Sequence, residues 1–262
     1  MTARPLTDKQ TIRRLLETDR NWALYALADL DDALFVHCQW WGCGNALALV
    51  FHGLAIRPIF VMGDAPGVRQ LLRAIPVDSG YLNLQSATAN SAAGVYAYRK
   101  RYEMHRMILA DFTPRAGVTE PLTPAHRDEV EALFATGNGS GIAFHVSQME
   151  SGFFRAVREH GTLVAVAGIH VASANEGVAG VGNVFVREDR RGRGFAQVVL
   201  SATVAAVRGA GIRTIGLNVE RSNAAAIHAY ENLGFRTRFS YFEGTADRVC
   251  PQRPDSNSAA TA

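Results

Sequence analysis

A glycine- and arginine-rich segment, residues 187–196, has the residue types of an anion-binding loop. It follows an apolar run and precedes a largely apolar helical stretch, so backbone N–H groups become exposed at a helix N-terminus. Glycines let a phosphate approach the backbone closely, and neighbouring arginines add charge-assisted hydrogen bonds. The segment therefore predicts a diphosphate site. Its candidate ligands are Arg191, Gly192, Arg193, Gly194 and Ala196.

The same residues are also compatible with a solvated arginine-rich loop that binds nothing. Two phosphate-binding motifs are excluded by spacing. The Gly-Lys-Ser/Thr that a nucleoside-triphosphate-binding P-loop requires does not follow the loop. The Gly-x-Gly-x-x-Gly spacing of a dinucleotide-binding turn is also absent.

A second group of residues lies downstream, where Asn223, Ala226 and Tyr230 follow one another at spacings of three and four. Such spacings place side chains on one helix face. A purely structural interpretation makes Asn223 a helix cap and Tyr230 a core aromatic residue. The functional interpretation is that Asn223 binds a cofactor amide and Tyr230 directs its hydroxyl at a reacting sulfur.

The elements that must position these residues alternate between strands and helices. In the second half we expect strands at 163–171, 181–186, 214–219 and 238–242, with helices at 150–159, 223–233 and from the loop to residue 207. In the first half we expect helical structure over 7–32, a hairpin of strands 35–41 and 46–51, and further strands at 56–62, 81–84 and 104–109. Helices are expected from 63–67 to about 75 and over 92–101. The pattern predicts a mixed α/β fold.

A change in composition divides the chain into two predicted domains. Residues 111–124 contain three prolines and a glycine between them with little apolar content, before a helix over 125–134. We place the boundary near residue 118. The predicted organisation is a first domain over 1–118, a second over 119–250 and a disordered tail over 251–262.

Together the two motifs resemble the GNAT superfamily of acyl-CoA-dependent N-acyltransferases. That family carries Arg/Gln-x-x-Gly-x-Gly/Ala after its fourth strand, which Arg191, Gly194 and Ala196 match. It also carries an asparagine, a tyrosine seven residues later and a Gly-Phe pair four residues beyond, which Asn223, Tyr230 and 234–235 match. The apolar run 163–168 through 182–184 is similar to a two-domain branch that includes glycine N-acyltransferase-like proteins. The first half lacks both motifs and resembles a degenerate copy of the same fold.

The resemblance implies a catalytic GNAT domain, preceded by the degenerate copy, with acetyl-CoA as co-substrate and no metal. The pantetheine arm would bind the backbone of Val184 and Val186 between splayed strands. Tyr230 would protonate the leaving thiolate, and His170 is the best candidate for the base, with Glu220, Glu150 or water as alternatives. The implied function is acyl transfer to the primary amine of a small molecule or amino acid. A protein or peptide N-acetyltransferase and a non-catalytic CoA-binding module are the alternatives.

Composition excludes several other classes. The chain has 262 residues, is 48% hydrophobic and carries a net charge of +3, so disorder is excluded. Only Lys9 and Lys100 are lysines among 27 basic residues, which indicates a coding bias, and neither half is basic enough to predict a nucleic-acid partner. No signal peptide or membrane span is visible, and the three cysteines cannot form a disulfide framework. They are Cys38, Cys43 and Cys250. We expect a cytoplasmic monomer or homodimer.

Overall fold

The computed structural model describes residues 2–137 and 144–249, in which thirteen strands form one mixed sheet. The predicted tail, residues 251–262, lies outside the described residues. The strands are β1 (Arg4–Leu6), β2 (Cys38–Cys43), β3 (Ala46–Phe51), β4 (Pro58–Met62), β5 (Ser79–Gln85), β6 (Tyr96–Tyr98), β7 (Tyr102–Leu109), β8 (Glu120–Pro121), β9 (Arg155–Glu159), β10 (Thr162–Ser173), β11 (Val178–Val186), β12 (Thr214–Glu220) and β13 (Phe235–Arg248).

Helices cover both faces of this sheet. The α-helices are α1 (Lys9–Leu16), α2 (Leu24–Ala28), α3 (Asp32–Phe35), α4 (Ala65–Ala74), α5 (Arg127–Ala135), α6 (Phe195–Gly209) and α7 (Ala224–Glu231). Short 3-10 helices occur at Glu17–Asp19, Ser86–Ala92, Pro124–His126, Val146–Ser151 and Glu188–Arg190. The predicted mixed α/β fold with a mixed sheet is confirmed.

The strand order shows the same local arrangement twice. In the first half, β3 and β4 pair antiparallel, α4 follows, and β5 lies parallel to β4. In the second half, β10 and β11 pair antiparallel, α6 follows, and β12 lies parallel to β11. A parallel neighbour requires a crossover connection, and a helix supplies it in both cases.

The centre of the sheet joins the two halves. β7, from the first half of the chain, lies between β12 and β13 of the second half. β13 in turn pairs with β5 of the first half, so the two halves share one sheet. Directly before β13, Gly234 has a φ of +97°, and a Cβ there would lie 1.7 Å from the carbonyl oxygen of Asp111. Only glycine fits so close an approach. The boundary near residue 118 stays a prediction.

Three predicted helical segments differ from the structure. Residues 96–98 form β6, which pairs with β13, because Gly94 is left-handed and Tyr96 and Tyr98 follow a two-residue period. Residues 155–159 form β9 instead of a helix, because Gly152, at a φ of +74°, ends the preceding 3-10 helix. Residues 7–32 break into α1, a 3-10 turn and α2.

Successive side chains of β11 pack into two different hydrophobic clusters, one on each face of the sheet. Ala179 and Val181 belong to the cluster that includes residues of α6, whereas Val178 packs with α1 and α2. A strand directs successive side chains to opposite faces, so α6 and α2 lie on opposite faces of the sheet near β11. Helices from both halves of the chain therefore flank the same strands.

Candidate functional site

The parallel strands β11 and β12 part before either one ends. Their pairing covers Val178 to Gly180 on β11 and ends at the pair Gly180 and Gly216. β11 nevertheless continues to Val186 and β12 to Glu220. The N–H of Arg187 donates to Val164 on β10 at 2.9 Å. Alternation therefore directs the backbone groups of Val186 and Val184 away from β10, towards the gap.

A bulge in β11 accompanies the opening. Val166 and Gly168 of β10 pair with Phe185 and Gly182 of β11. One residue lies between the two pairs on β10 and two on β11. Asn183 lies in this bulge with a φ of +52°, and its amide donates to the carbonyl of Ile169 at 3.0 Å and to Gln148 at 2.9 Å. Bulges of this kind bend a strand and increase its twist, which helps to turn β11 away from β12.

The predicted diphosphate loop leads directly into α6. Gly192 and Gly194 have φ values of +76° and +80°, and Gly194 is the N-cap, with no side chain hydrogen-bonded to the helix start. The first backbone N–H groups of α6 have no partner within the helix. A cluster of unpaired donors at the positive end of a helix of fifteen residues can bind an anion.

The loop arginines are not equally available. Arg187 forms two hydrogen bonds with Asp189, at 2.6 and 3.1 Å, and Arg190 contacts Glu159 at 2.6 Å. Arg193 reaches Glu159 at 3.3 Å, and Arg191 lies 4.0 Å from Glu188. Since Arg191 and Arg193 are more than half exposed and more weakly paired, they are the two that can turn towards a ligand.

The downstream group forms the start and one face of α7. Asn223 is its N-cap, and the side-chain oxygen accepts the N–H of Ala226 at 3.1 Å. The structural interpretation of Asn223 is thus realised, while its amide nitrogen makes no hydrogen bond to another described residue. Ala226 and Tyr230 belong to the same apolar cluster as Val184, Val186 and Phe195. The tertiary structure therefore brings together these sequence-predicted residues.

Tyr230 is nearly buried at the end of this face. Its residue is 9% exposed, and its ring contacts Phe235 edge-on at 6.3 Å. Burial raises the pKa of Tyr230 to about 12, so the phenol stays protonated at neutral pH. The hydroxyl makes no hydrogen bond to another residue of the described ranges. A buried, protonated phenol without a protein partner is suited to donating a proton to a ligand.

His170 lies on the opposite face of the sheet from α6. It is the extra residue of a bulge in β10, and a Cβ on Gly182 would lie 2.0 Å from its Nε2. The imidazole therefore covers Gly182 on β11. We expected the pKa of His170 to suit a general base, whereas burial lowers that pKa to about 4. The imidazole is neutral but only weakly basic.

Sequence reasoning missed three residues on this same face. Tyr25 of α2 covers Gly180, Arg106 of β7 is 3% exposed, and Asn218 of β12 accepts a hydrogen bond from Arg106 at 3.0 Å. The one available signal was a charged residue inside the apolar strand 104–109. The positions of Tyr25 and Asn218 had no signature in the sequence.

The corresponding helix start in the first half differs. Asp64 caps α4 and accepts the N–H of Gly67 at 2.8 Å, with Pro66 in the first turn. A carboxylate thus occupies the position at which an anion would bind, and proline removes one donor. This helix N-terminus therefore has fewer unpaired donors than that of α6.

The mixed sheet, with its splayed parallel pair β11 and β12 and the uncapped start of α6, indicates the fold class of the acyl-CoA-dependent acetyltransferases. The model of the acetyltransferase (GNAT) family matches residues 104–235, and the chain belongs to this family. A mycothiol acetyltransferase from Thermobispora bispora is 37% identical over 89 residues, which cover 32% of this chain and 30% of that protein. The chain thus spans under a third of the length of that curated relative.

Solved structures share the fold at low identity. A GCN5-related N-acetyltransferase from Sphaerobacter thermophilus is 16% identical, with a TM-score of 0.60 over 95% of this chain and 96% of that one. A Drosophila protein is 12% identical, with a TM-score of 0.66 over 94% and 98%. A tandem GNAT protein from the clavulanic acid biosynthesis pathway is 16% identical, with a TM-score of 0.56 over 96% and 99%.

No helix in residues 2–137 and 144–249 is long and apolar enough to cross a membrane. The same ranges contain no group of three or more histidine, cysteine, aspartate or glutamate residues placed to hold a metal ion.

Proposed function

We propose that the chain transfers an acetyl or other short acyl group from acyl-CoA to the primary amine of a small molecule or amino acid. The observation that carries this proposal is the parting of β11 and β12 after Gly180 and Gly216, directly before the uncapped start of α6. The gap offers unpaired strand backbone, and the helix start offers unpaired donors. A thioester with a long arm and a diphosphate fits both.

The binding roles follow from this placement. The backbone of Val184 and Val186 would hold the pantetheine arm through strand-like hydrogen bonds. Backbone N–H groups of the loop would hold the diphosphate, with Arg191 and Arg193 adding charge. The residues assigned to the loop are Arg191, Gly192, Arg193, Gly194 and Ala196. On α7, the amide nitrogen of Asn223 and the small side chain of Ala226 would border the arm.

The chemistry needs few further groups. Acyl-CoA supplies an activated acyl group, which a neutral amine attacks. An N–H of the splayed β11 backbone would stabilise the charge that develops on the carbonyl oxygen. Tyr230 would donate its phenolic proton to the departing sulfur. His170, neutral at working pH, is the proposed acceptor of the amine proton, and its low pKa limits it to a weak base.

Two observations favour a small acceptor over a protein. α2 packs on β10, β11 and β12 on the face opposite α6, so the first half of the chain covers the face on which we propose that the acceptor binds. The curated relative is named a mycothiol acetyltransferase, which supports a small-molecule acceptor by analogy. Acetylation of a protein or peptide, and CoA binding without catalysis, are the alternatives that the experiment below separates.

The first half is proposed to be a degenerate GNAT copy that does not bind CoA, over residues 1–118. It repeats the order of hairpin, helix and parallel strand, and Asp64 fills its helix start. The likeness to a tandem GNAT protein over nearly the whole chain supports a two-domain arrangement. Within that arrangement we propose the branch that includes glycine N-acyltransferase-like proteins.

The test is release of free CoA thiol from acetyl-CoA across a panel of small primary amines, amino acids and peptides. We expect release with small amines or amino acids and its loss in Tyr230→Phe, with CoA affinity retained. Release only with peptides would replace the proposal with the protein-directed alternative. CoA binding without release for any acceptor would leave the non-catalytic module.

A further inference from the structure

The face of the sheet beneath α2 includes the point where β11 and β12 part. Tyr25 lies against Gly180, since a Cβ there would be 2.6 Å from Cε1 of the ring and 3.0 Å from the hydroxyl oxygen. Gly180 belongs to the last pair before the gap. The phenol of Tyr25 therefore borders the acceptor side of the gap, opposite the side of α6 and α7.

The hydroxyl of Tyr25 is buried and has no hydrogen-bond partner within the described ranges. A buried hydroxyl without a partner is costly, and such groups in folded proteins usually have one. Burial raises the pKa of Tyr25 to about 12, so the group is a hydrogen-bond donor at neutral pH. A buried donor without a partner, beside a substrate gap, indicates a ligand atom that accepts its proton.

Arg106 lies next to Tyr25, and its charge has no direct counter-ion. Its Nε donates to Asn218 Oδ1 at 3.0 Å, and a terminal N–H donates to the carbonyl of Trp22. No carboxylate of the described residues lies within 4.0 Å of the guanidinium, although Arg106 is only 3% exposed. Buried charges are usually paired, so this arrangement is unusual.

Aromatic rings enclose the guanidinium of Arg106. Its carbon lies 4.4 Å from the ring of Trp22, 4.9 Å from that of Tyr25 and 5.3 Å from that of Tyr241. Stacked rings stabilise the cation through its faces and leave its edge free for hydrogen bonds. Burial raises the pKa of Glu243 and the charge of Arg106 acts to lower it, but the two side chains form no ion pair within 4.0 Å. The carboxylate of Glu243 instead accepts hydrogen bonds from Tyr81 and Tyr241, at 3.1 and 2.8 Å.

We propose that Arg106 and Tyr25 form a subsite for a carboxylate on the acceptor, so that the acceptor is an amino acid or another amine that carries a carboxylate. This rests on the function proposed above. A carboxylate accepts several hydrogen bonds and pairs well with a guanidinium edge. It supplies both the direct ion-pair partner that Arg106 lacks and the acceptor that Tyr25 lacks among the described residues. Asn218, on the splayed part of β12, connects the subsite to the gap.

The test compares amino acids with the amines that lack their carboxylate, such as glycine with methylamine and alanine with ethylamine, with acetyl-CoA as donor. For the wild type we expect kcat/KM to favour the amino acid of the best pair. In Tyr25→Phe this preference should fall about 10-fold or more, the effect expected for a hydrogen bond to a charged group. Arg106→Lys, checked for folding by its melting temperature, should lower the same ratio.

Tyr98→Phe is the matched control, because that hydroxyl already has a protein partner, the carbonyl of Leu82 at 3.3 Å. We expect its preference ratio to equal that of the wild type. A wild type that favours the decarboxylated amines, or a Tyr25→Phe ratio equal to the wild-type ratio, would overturn the subsite while leaving acyl transfer intact.

A binding measurement separates this proposal from the proposed function. Calorimetry with N-acetylglycine and with N-methylacetamide, in the presence of CoA, needs no turnover. Tighter binding of N-acetylglycine that Tyr25→Phe weakens about 10-fold supports the subsite, even if no amine is acetylated and the proposed function fails. Equal affinity for the two compounds, or no binding of either, overturns the subsite.

Discussion

The indole N–H of Trp22 donates to the carbonyl of Val61 at 3.0 Å, at the point where the parallel strands of the first half part. β4 and β5 pair as far as Phe60 and Asn83, and Val61 is the next residue on β4. Trp22 is fully buried and stacks on Phe60 at 5.6 Å. The position that corresponds to the proposed CoA gap of the second half is therefore filled by the protein's own side chain.

Trp22→Phe should destabilise the fold more than a matched change elsewhere. It leaves the carbonyl of Val61 without its partner, which costs about 1–3 kcal/mol. Trp40→Phe is the control, because Trp40 is also buried but its indole N–H has no hydrogen-bond partner in the described ranges. Urea unfolding of both variants measures the difference. Equal losses would show that the hydrogen bond to Val61 contributes nothing.

Calorimetry should find one CoA bound per chain. The helix start of α6 is uncapped, whereas Asp64 and Trp22 occupy the corresponding positions of the first half. A stoichiometry of two would contradict the proposed division of roles between the halves.

Arg191→Gln should weaken CoA binding more than Arg187→Gln. Arg191 is 4.0 Å from its nearest carboxylate, whereas Arg187 is held by Asp189 through two hydrogen bonds. Loss of one charge-assisted hydrogen bond at an exposed site should raise the Kd about 5- to 10-fold. Titration with acetyl-pantetheine, which lacks the diphosphate, should give equal affinities for Arg191→Gln and the wild type.

Tyr230→Phe should lower kcat about 100-fold or more, the lower limit for loss of a positioned general acid. Its stability should not fall, because the hydroxyl has no hydrogen-bond partner within the described residues. Single-turnover rates with acetyl-CoA, together with the Kd of CoA, separate the two effects. A wild-type kcat would remove Tyr230 from the mechanism.

Acidification should destabilise the protein through His170. Burial lowers the pKa of the imidazole from 6.5 to about 4, so the unfolded chain takes up a proton at a higher pH than the folded one. The contribution of the neutral imidazole to stability is fully present above pH 6.5 and is lost as the pH falls towards 4. At about 1.4 kcal/mol per pH unit, this amounts to about 3 kcal/mol at most.

Urea unfolding at several pH values tests this dependence. His170→Gln should flatten the fall in stability over that range, while His52→Gln, at an exposed position, should behave as the wild type. If His170 is also the base, the acid limb of kcat/KM should lie near pH 4. An acid limb near 6.5, or a wild-type profile in His170→Gln, would exclude it.

The sequence by itself determined the local chemistry of the site. Gly192 and Gly194 set the turn before α6, and the spacing from Asn223 to Tyr230 set one face of α7. These features depend on neighbouring residues, since helix starts and helix faces are built from consecutive positions. They sufficed to predict the loop, the helix and the family resemblance.

Tertiary structure alone decided the proposed acceptor side and the basicity of His170. Arg106 and Asn218 meet on adjacent strands although 112 residues separate them, and Tyr25 reaches Gly180 from the other half of the chain. The pKa of His170 depends on burial, which no local pattern specifies. Strand pairing also overrode the helical pattern of residues 155–159. Distant contacts and desolvation exist only once the sheet has assembled.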